Sequence, residues 1–122
     1  VSLHAAATPQ THHLINENTL AMMKQGAVLV NTARGALVDE AALAKALESG
    51  RLGGAGLDVQ EQEPVPMDNP LLHLSPEAAR RLVMAPHLGG VTGSVFRCQV
   101  EMAWGNLRRA ERGEKPINIV KR

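Results

Sequence analysis

The chain has 122 residues, 44% hydrophobic and 20% charged, and its 13 Lys+Arg against 12 Asp+Glu leave a formal net charge of +1. That length suits one domain with a real core and excludes a two-domain enzyme within these residues. The charge balance excludes a disordered chain, an acidic tail and an electrostatic nucleic-acid binder, which needs a concentrated positive field. No apolar run approaches the ~18 residues of a membrane span, and the first residues lack a signal peptide's charged-then-apolar plan. A soluble, cytoplasmic chain without membrane or nucleic-acid partners is expected. The single cysteine, Cys98, excludes an internal disulfide and fits a reducing compartment.

Val1-Ser2-Leu3-His4-Ala5, bounded by Thr8-Pro9, predicts a strand near 1–5. Asn16 suits the N-cap of a helix near 16–25 that passes Leu20 and Met23 and stops at Gly26. Ala27-Val28-Leu29-Val30 is a continuous apolar run, which predicts a strand near 27–32 buried on both faces. Asp39 caps a helix near 39–49 with Leu43, Ala46 and Leu47 on one face, and Ser49-Gly50 ends it. Gly54-Ala55-Gly56-Leu57-Asp58-Val59 predicts a third strand near 54–59. Pro64, Pro66, Pro70 and Pro76 make 60–81 a loop with one or two short helical turns. Leu82-Val83-Met84-Ala85 predicts a fourth strand near 82–86, closed by Pro86. A last helix near 92–112 begins at Thr92 or Ser94. It places Phe96, Val100, Ala103, Trp104 and Leu107 at helical spacing, and Gly113 and Pro116 end it. Buried strands alternating with helices predict an α/β fold with a parallel sheet.

A parallel sheet binds its ligand beyond the carboxyl ends of its strands, so the polar residues that end each apolar run carry the functional information. The runs end at His4, at Asn31-Thr32-Ala33-Arg34-Gly35, at Asp58 and at His87, which parallel strands would bring to one rim. Arg34, flanked by Ala33 and Gly35, presents an uncrowded guanidinium fork that suits a carboxylate, or else pairs at the surface with Asp39 or Glu40. His87 follows rigid Pro86 and precedes Leu88-Gly89-Gly90, which let another molecule approach the backbone. A histidine gives or takes a proton near neutral pH, and Glu63 is the candidate carboxylate partner. His12 and His13 lie in a turn and His73 in the Pro-rich loop, none at zinc-site spacing, so no metal is expected. Ser94 lacks the strained turn of a hydrolase serine, and Cys98 on the last helix has a structural place.

Together, Asn31-Thr32-Ala33-Arg34-Gly35, Val38-Asp39-Glu40, Gly56-Leu57-Asp58-Val59, Glu63-Pro64 and Pro86-His87-Leu88-Gly89-Gly90 resemble the D-isomer-specific 2-hydroxyacid dehydrogenases. That family includes phosphoglycerate, glycerate and D-lactate dehydrogenases and glyoxylate/hydroxypyruvate reductases. The resemblance runs from Val1 to Val120 and implies a Rossmann-type, doubly wound dinucleotide-binding domain. Residues 1–112 would be its second half, and 113–122 a segment returning toward a separate substrate domain. The implied chemistry is hydride transfer between NAD or NADP and a small 2-oxo or 2-hydroxy acid. By position, Arg34 would hold the substrate carboxylate and 2-oxo oxygen, His87 would be the acid/base on that oxygen, and Glu63 would orient His87. Ala5, Thr32, Ala33, Arg34, Asp58, His87, Gly89 and Gly90 match positions that line the cofactor.

Three local departures accompany the resemblance. Ala5-Ala6-Ala7 replaces a family proline two residues after His4, Gln60 stands where an aromatic is common, and Ser75–Leu82 is longer than usual. A polar wall of the substrate pocket is expected at Gln60. The Gly-x-Gly-x-x-Gly turn and the acidic residue about 20 positions beyond it are not in the sequence. Val1, inside an apolar run with no initiator Met, is expected to mark a cut within a longer protein. The expected protein is thus part of an oxidoreductase, weak or inactive alone, and associated as a homodimer or through an exposed sheet edge. The alternative is a non-catalytic interaction module like the corepressors called C-terminal binding proteins.

Overall fold

Capping side chains decide where the helices of the first part of the chain begin. Asn16 Oδ1 accepts from the backbone N–H groups of Asn18 and Thr19 at 3.1 and 3.2 Å, and Thr19 Oγ1 accepts from the Asn16 N–H at 2.9 Å. This reciprocal cap starts α1 (Glu17–Met22). The helix ends before Gly26, which instead takes φ +75° in the turn into the next strand. Asp39 Oδ1 accepts from the Ala42 N–H at 3.0 Å and starts α2 (Glu40–Glu48). The computed structural model describes residues 1–119, so the end of the segment expected at 113–122 lies outside the described residues.

Strands β1 (Ser2–Leu3), β2 (Ala27–Asn31), β3 (Leu52–Leu57) and β4 (Leu82–Met84) form one parallel sheet in the order β1-β2-β3-β4. The chain is therefore α/β with a parallel sheet. β3 lies two residues upstream of the span expected for it. Backbone pairing fixes its limits, since Ala27 pairs with Leu52 and Asn31 with Leu57.

The register puts Leu3, Asn31, Leu57 and Met84 in one lateral row, with Leu29, Ala55 and Leu82 in the next row on the same face. Leu3, Leu29, Ala55 and Leu57 join Leu20 of α1 and Leu43 and Leu47 of α2 in the core. The opposite face carries Val28, Val30 and Val83, which are 52%, 37% and 69% exposed. Burial of β2 on both faces does not occur. The core lies on the Leu29 side, and Gly54 and Gly56, which pair with Val28 and Val30, bring no side chains to the other.

The proline-rich stretch holds a 3-10 turn, Pro70–His73, and the short helix α3 (Pro76–Ala79). Leu71 and Ala78 from these turns reach the core. Glu48, the last residue of α2, fastens the stretch, accepting from the Ser75 backbone N–H and from its Oγ at 2.8 Å.

The chain divides into two units, Val1–His87 and Leu88–Arg122. The second contains α4 (Gly93–Glu111), which Thr92 caps through the Val95 N–H and which ends before Gly113 at φ +70°. The expected apolar stripe forms, but no residue of α4 is buried, and Phe96, Val100, Trp104 and Leu107 are each more than half exposed. No helix among the described residues is long and apolar enough to cross a membrane.

The two hydrogen bonds from Ser75 hold the Glu48 carboxyl below the usual carboxylate range. The folded state thus binds this proton less tightly than the unfolded chain. Its stabilising contribution is complete above the unfolded value and lost as pH falls through the lowered one. Urea midpoints measured from pH 7 to pH 3 should show an acid-side loss that is smaller in Glu48→Gln. An unchanged acid limb in that variant would contradict the role given to Glu48.

Candidate active site

Hydrogen bonds that continue the sheet past its strands align the polar strand ends. The Asp58 N–H donates to the Asn31 carbonyl at 2.9 Å, the Ala85 N–H to Leu57 at 2.8 Å, and the His87 N–H to Asp58 at 2.8 Å. Asn31, Asp58 and His87 therefore stand side by side at the carboxyl rim. His4 ends β1 at the same rim, its Nε2 2.8 Å from Ser2 Oγ.

The turn after β2 is organised by a residue whose role the sequence did not disclose. Asn31 is fully buried, its Nδ2 donates to the Arg34 carbonyl at 2.9 Å, and its Oδ1 accepts from the Ala33 N–H at 3.1 Å. An asparagine that closes its own turn is a known local signal, legible from Asn at the end of an apolar run. The turn leaves the Arg34 side chain exposed, with Nη1 donating to the Ala33 carbonyl at 2.6 Å. Asp39 caps α2, and Glu40 accepts from the Glu61 N–H and from Asn69 Nδ2. Both carboxylates that Arg34 was weighed against are thus engaged elsewhere.

Gly35 has a larger part than leaving room for the guanidinium. A Cβ at this position would lie 1.9 Å from the Gln60 carbonyl carbon and oxygen and 2.3 Å from the Glu61 nitrogen. Only a residue without a side chain lets the backbone after β2 pass so close to the backbone after β3.

That second backbone carries Glu63. Its Oε2 lies 2.9 Å from His87 Nδ1, and its Oε1 accepts from the Gln60 N–H at 3.0 Å. The bond with His87, and then the one from Gln60, hold the Glu63 carboxyl below the usual range, against the smaller opposing effects of desolvation and then of Asp58. A carboxylate can only accept, so His87 Nδ1 carries the donated proton and Nε2 is left for other chemistry. His87 itself sits at φ +55°, a left-handed conformation uncommon for a side-chain-bearing residue. Its side chain is 48% exposed and that of Glu63 is 38% exposed. A pair this open adds little to stability, so its value lies in aiming the ring.

Arg34, Glu63 and His87 line one cavity of about 240 Å³, together with Gly35 and Gln60. A neighbouring cleft of about 560 Å³ is lined by His4, Ala5, Thr32, Ala33 and Arg34, whose small members leave room for a flat ring. Asp58 is half-buried beside the pair. Gly89 and Gly90 belong to the second unit. Gln60, where a polar wall was expected, lines the cavity. It is buried with its amide turned to the Ala85 carbonyl at 3.4 Å, and it acts on the site through its backbone N–H.

Residues 1–89 match the family model for the D-isomer specific 2-hydroxyacid dehydrogenase, NAD binding domain. The chain belongs to the D-isomer specific 2-hydroxyacid dehydrogenases. A glyoxylate reductase of Korarchaeum cryptofilum is 48% identical over 120 residues, which are 98% of this chain and 35% of that protein. A D-3-phosphoglycerate dehydrogenase of Methanocaldococcus jannaschii is 39% identical over 120 residues, 98% of this chain and 22% of its own length. Among solved structures, a D-isomer specific 2-hydroxyacid dehydrogenase from Xanthobacter autotrophicus Py2, in complex with NADPH and MES, superposes with a TM-score of 0.78 at 38% identity. That match covers 99% of this chain and 47% of the other. The chain thus spans about a third of the curated glyoxylate reductase that it matches. The fold is the Rossmann type of these dehydrogenases.

Gly35→Ala should force the two backbones apart. Unfolding in urea should show a loss of about 3 kcal/mol, at the upper end of overpacking costs. A loss under about 0.5 kcal/mol, the usual range for a neutral surface change, would show that the close approach is not a constraint.

Proposed function

We propose that this chain carries the acid/base and substrate-anchoring half of an oxidoreductase that interconverts small 2-oxo and 2-hydroxy acids. The observation that supports this most strongly is the Glu63–His87 pair, 2.9 Å apart, in one cavity with Arg34. NAD or NADP, when bound, supplies or takes the hydride. The cleft beside Arg34 fits a flat ring, so Ala5, Thr32 and Ala33 are proposed to line it, with Asp58, Gly89 and Gly90 as further positions taken from the family.

The chain's own residues divide the remaining work. The Arg34 fork would hold the substrate carboxylate by charge-assisted bonds, which a lysine would match less well. With Nδ1 committed to Glu63, His87 would deliver from Nε2 the proton that the 2-oxo oxygen needs as it becomes a hydroxyl. Glu63, kept as a carboxylate by its two hydrogen bonds, fixes the ring and balances its charge. Donor and guanidinium are in place before charge develops on the oxygen, which is how a preorganised site lowers a barrier.

On this reading, residues 1–112 act as the second half of a dinucleotide-binding domain, and 113–122 lead back toward a substrate domain. The chain by itself would turn over weakly or not at all, since the residues here serve the nicotinamide end of the cofactor. Association as a homodimer or through a sheet edge and residence in the cytoplasm belong to the same proposal, supported by the edge strands β1 and β4 and by the free, exposed Cys98. No observation on the described residues favours the alternative of an interaction module.

The test is a chimera in which this chain replaces the matching 120 residues of the Korarchaeum cryptofilum glyoxylate reductase. It should reduce glyoxylate with NADH or NADPH. His87→Asn should lower kcat by ~10²–10⁴-fold, the usual worth of a positioned acid. Arg34→Ala should raise KM for the acid by about 10- to 100-fold, the worth of hydrogen bonds to a charged group. A folded chimera whose His87→Asn variant keeps full activity would contradict the assignment.

A further inference from the structure

Outside the proposed catalytic rim, three side chains from two distant stretches converge on one point. His12 Nε2 lies 3.2 Å from Glu61 Oε1, and His13 Nε2 lies 3.0 Å from the same oxygen and 3.1 Å from Oε2. The two imidazoles stack, with ring centroids 3.9 Å apart and planes 24° from parallel, so both Nε2 atoms face one carboxylate. We propose that His12, His13 and Glu61 form a binding site for a divalent late first-row transition ion, Zn²⁺ foremost.

The donor set fits that class. Two imidazole nitrogens and one carboxylate oxygen suit zinc, nickel and copper and do not suit Mg²⁺ or Ca²⁺, which want oxygen ligands throughout. The spacing fits as well. Zinc bonds of about 2.1 Å at tetrahedral angles place neighbouring ligand atoms about 3.4 Å apart. The observed nitrogen–oxygen separations of 3.0 and 3.2 Å are already close to such an edge, and all three ligand atoms lie within 4.8 Å of one another. The ion would take the place of protons now shared between the rings and the carboxylate. The site is open to solvent, with side-chain exposures of 54%, 33% and 38%, which gives an entry path and leaves a coordination position for water.

The backbone holds the ligands from both sides. The His13 N–H donates to the Ala36 carbonyl at 2.8 Å, the His12 N–H to Thr8 at 3.0 Å, and Ile15 bridges to Val38. The Glu61 N–H donates at 3.0 Å to the buried carboxylate of Glu40, whose other oxygen accepts from Asn69 Nδ2 at 2.6 Å. Glu40 therefore fixes Glu61 and sets a second negative charge behind the site, which favours a cation. An ion here would clip the loop after β1 to the loop after β3, two residues before Glu63. The histidines alone have no zinc-like spacing, because the third ligand comes 48 residues after His13.

The experiment is titration calorimetry of the untagged full chain with ZnCl₂, with Co²⁺ absorption as a coordination readout. One equivalent should bind, and the visible cobalt spectrum should have the intensity of a four- or five-coordinate site. Loss of outer-shell partners costs ~10–100-fold in metal affinity, so His12→Ala, His13→Ala and Glu61→Gln should each weaken binding by about 100-fold or more. Circular dichroism checks that each variant is folded, and Glu61→Gln, which keeps the side chain's shape, is the variant least able to perturb the fold. Cys98→Ser and His87→Asn should bind zinc as the parent does. No binding at 100-micromolar zinc (about 0.1 mM), or binding that follows Cys98 or His87 instead, would overturn the proposal.

Discussion

Where the backbone leaving β2 passes the backbone leaving β3, even one added carbon at residue 35 would lie 1.9 Å from the Gln60 carbonyl. The rest of the site follows from that contact. It brings the loop that carries Arg34 against the loop that carries Glu63, and the Gln60 N–H at the contact is the one that fixes Glu63 Oε1. The parallel ladder supplies the remaining coordinate, because His87 N–H bonds to the Asp58 carbonyl and so stands one strand over from the Glu63 loop. Three chemically active side chains from three loops thus share one small cavity without any of them being buried.

Burial and function are divided across the sheet in a consistent way. Leu29, Leu43, Leu47 and Leu57 make the core under one face, and the buried polar residues Asn31, Glu40 and Asn69 hold loops. Asn31 closes the Arg34 turn, and Glu40 ties Glu61 to Asn69. A buried polar group is costly unless satisfied, so each of these residues fixes one backbone geometry and penalises others. The residues that meet solvent or a ligand, Arg34, Glu63 and His87, can then be exposed without being loose.

The strand ends and their polar residues were legible in the sequence because a parallel sheet puts them on one rim whatever the details of packing. The caps at Asn16 and Asp39 were legible for the same reason, being local signals with a local cause. Long-range facts were not. Whether the Val28 and Val30 face is covered depends on layers that a run of apolar residues does not specify. The exposed stripe on α4 shows the same limit, since periodicity says which residues share a face but not what meets it. The part played by Gly35 and the meeting of His12 and His13 with Glu61 both need the fold, because their partners lie 25 and 48 residues away. Strand-end position and side-chain chemistry singled out Arg34, Glu63 and His87, family resemblance gave them roles, and the geometry adds why they meet.

The central claim is that the rim formed by this backbone contact receives a 2-oxo acid through Arg34 and His87. Its most direct test is a nuclear magnetic resonance titration of the full chain with oxamate, an unreactive mimic of such acids, following the Arg34 guanidinium and His87 ring signals. Saturable shifts at both groups, abolished at the His87 ring and weakened overall by Arg34→Ala, are the predicted result. Shifts confined to other parts of the chain, or none up to the highest oxamate concentration added, would contradict the account.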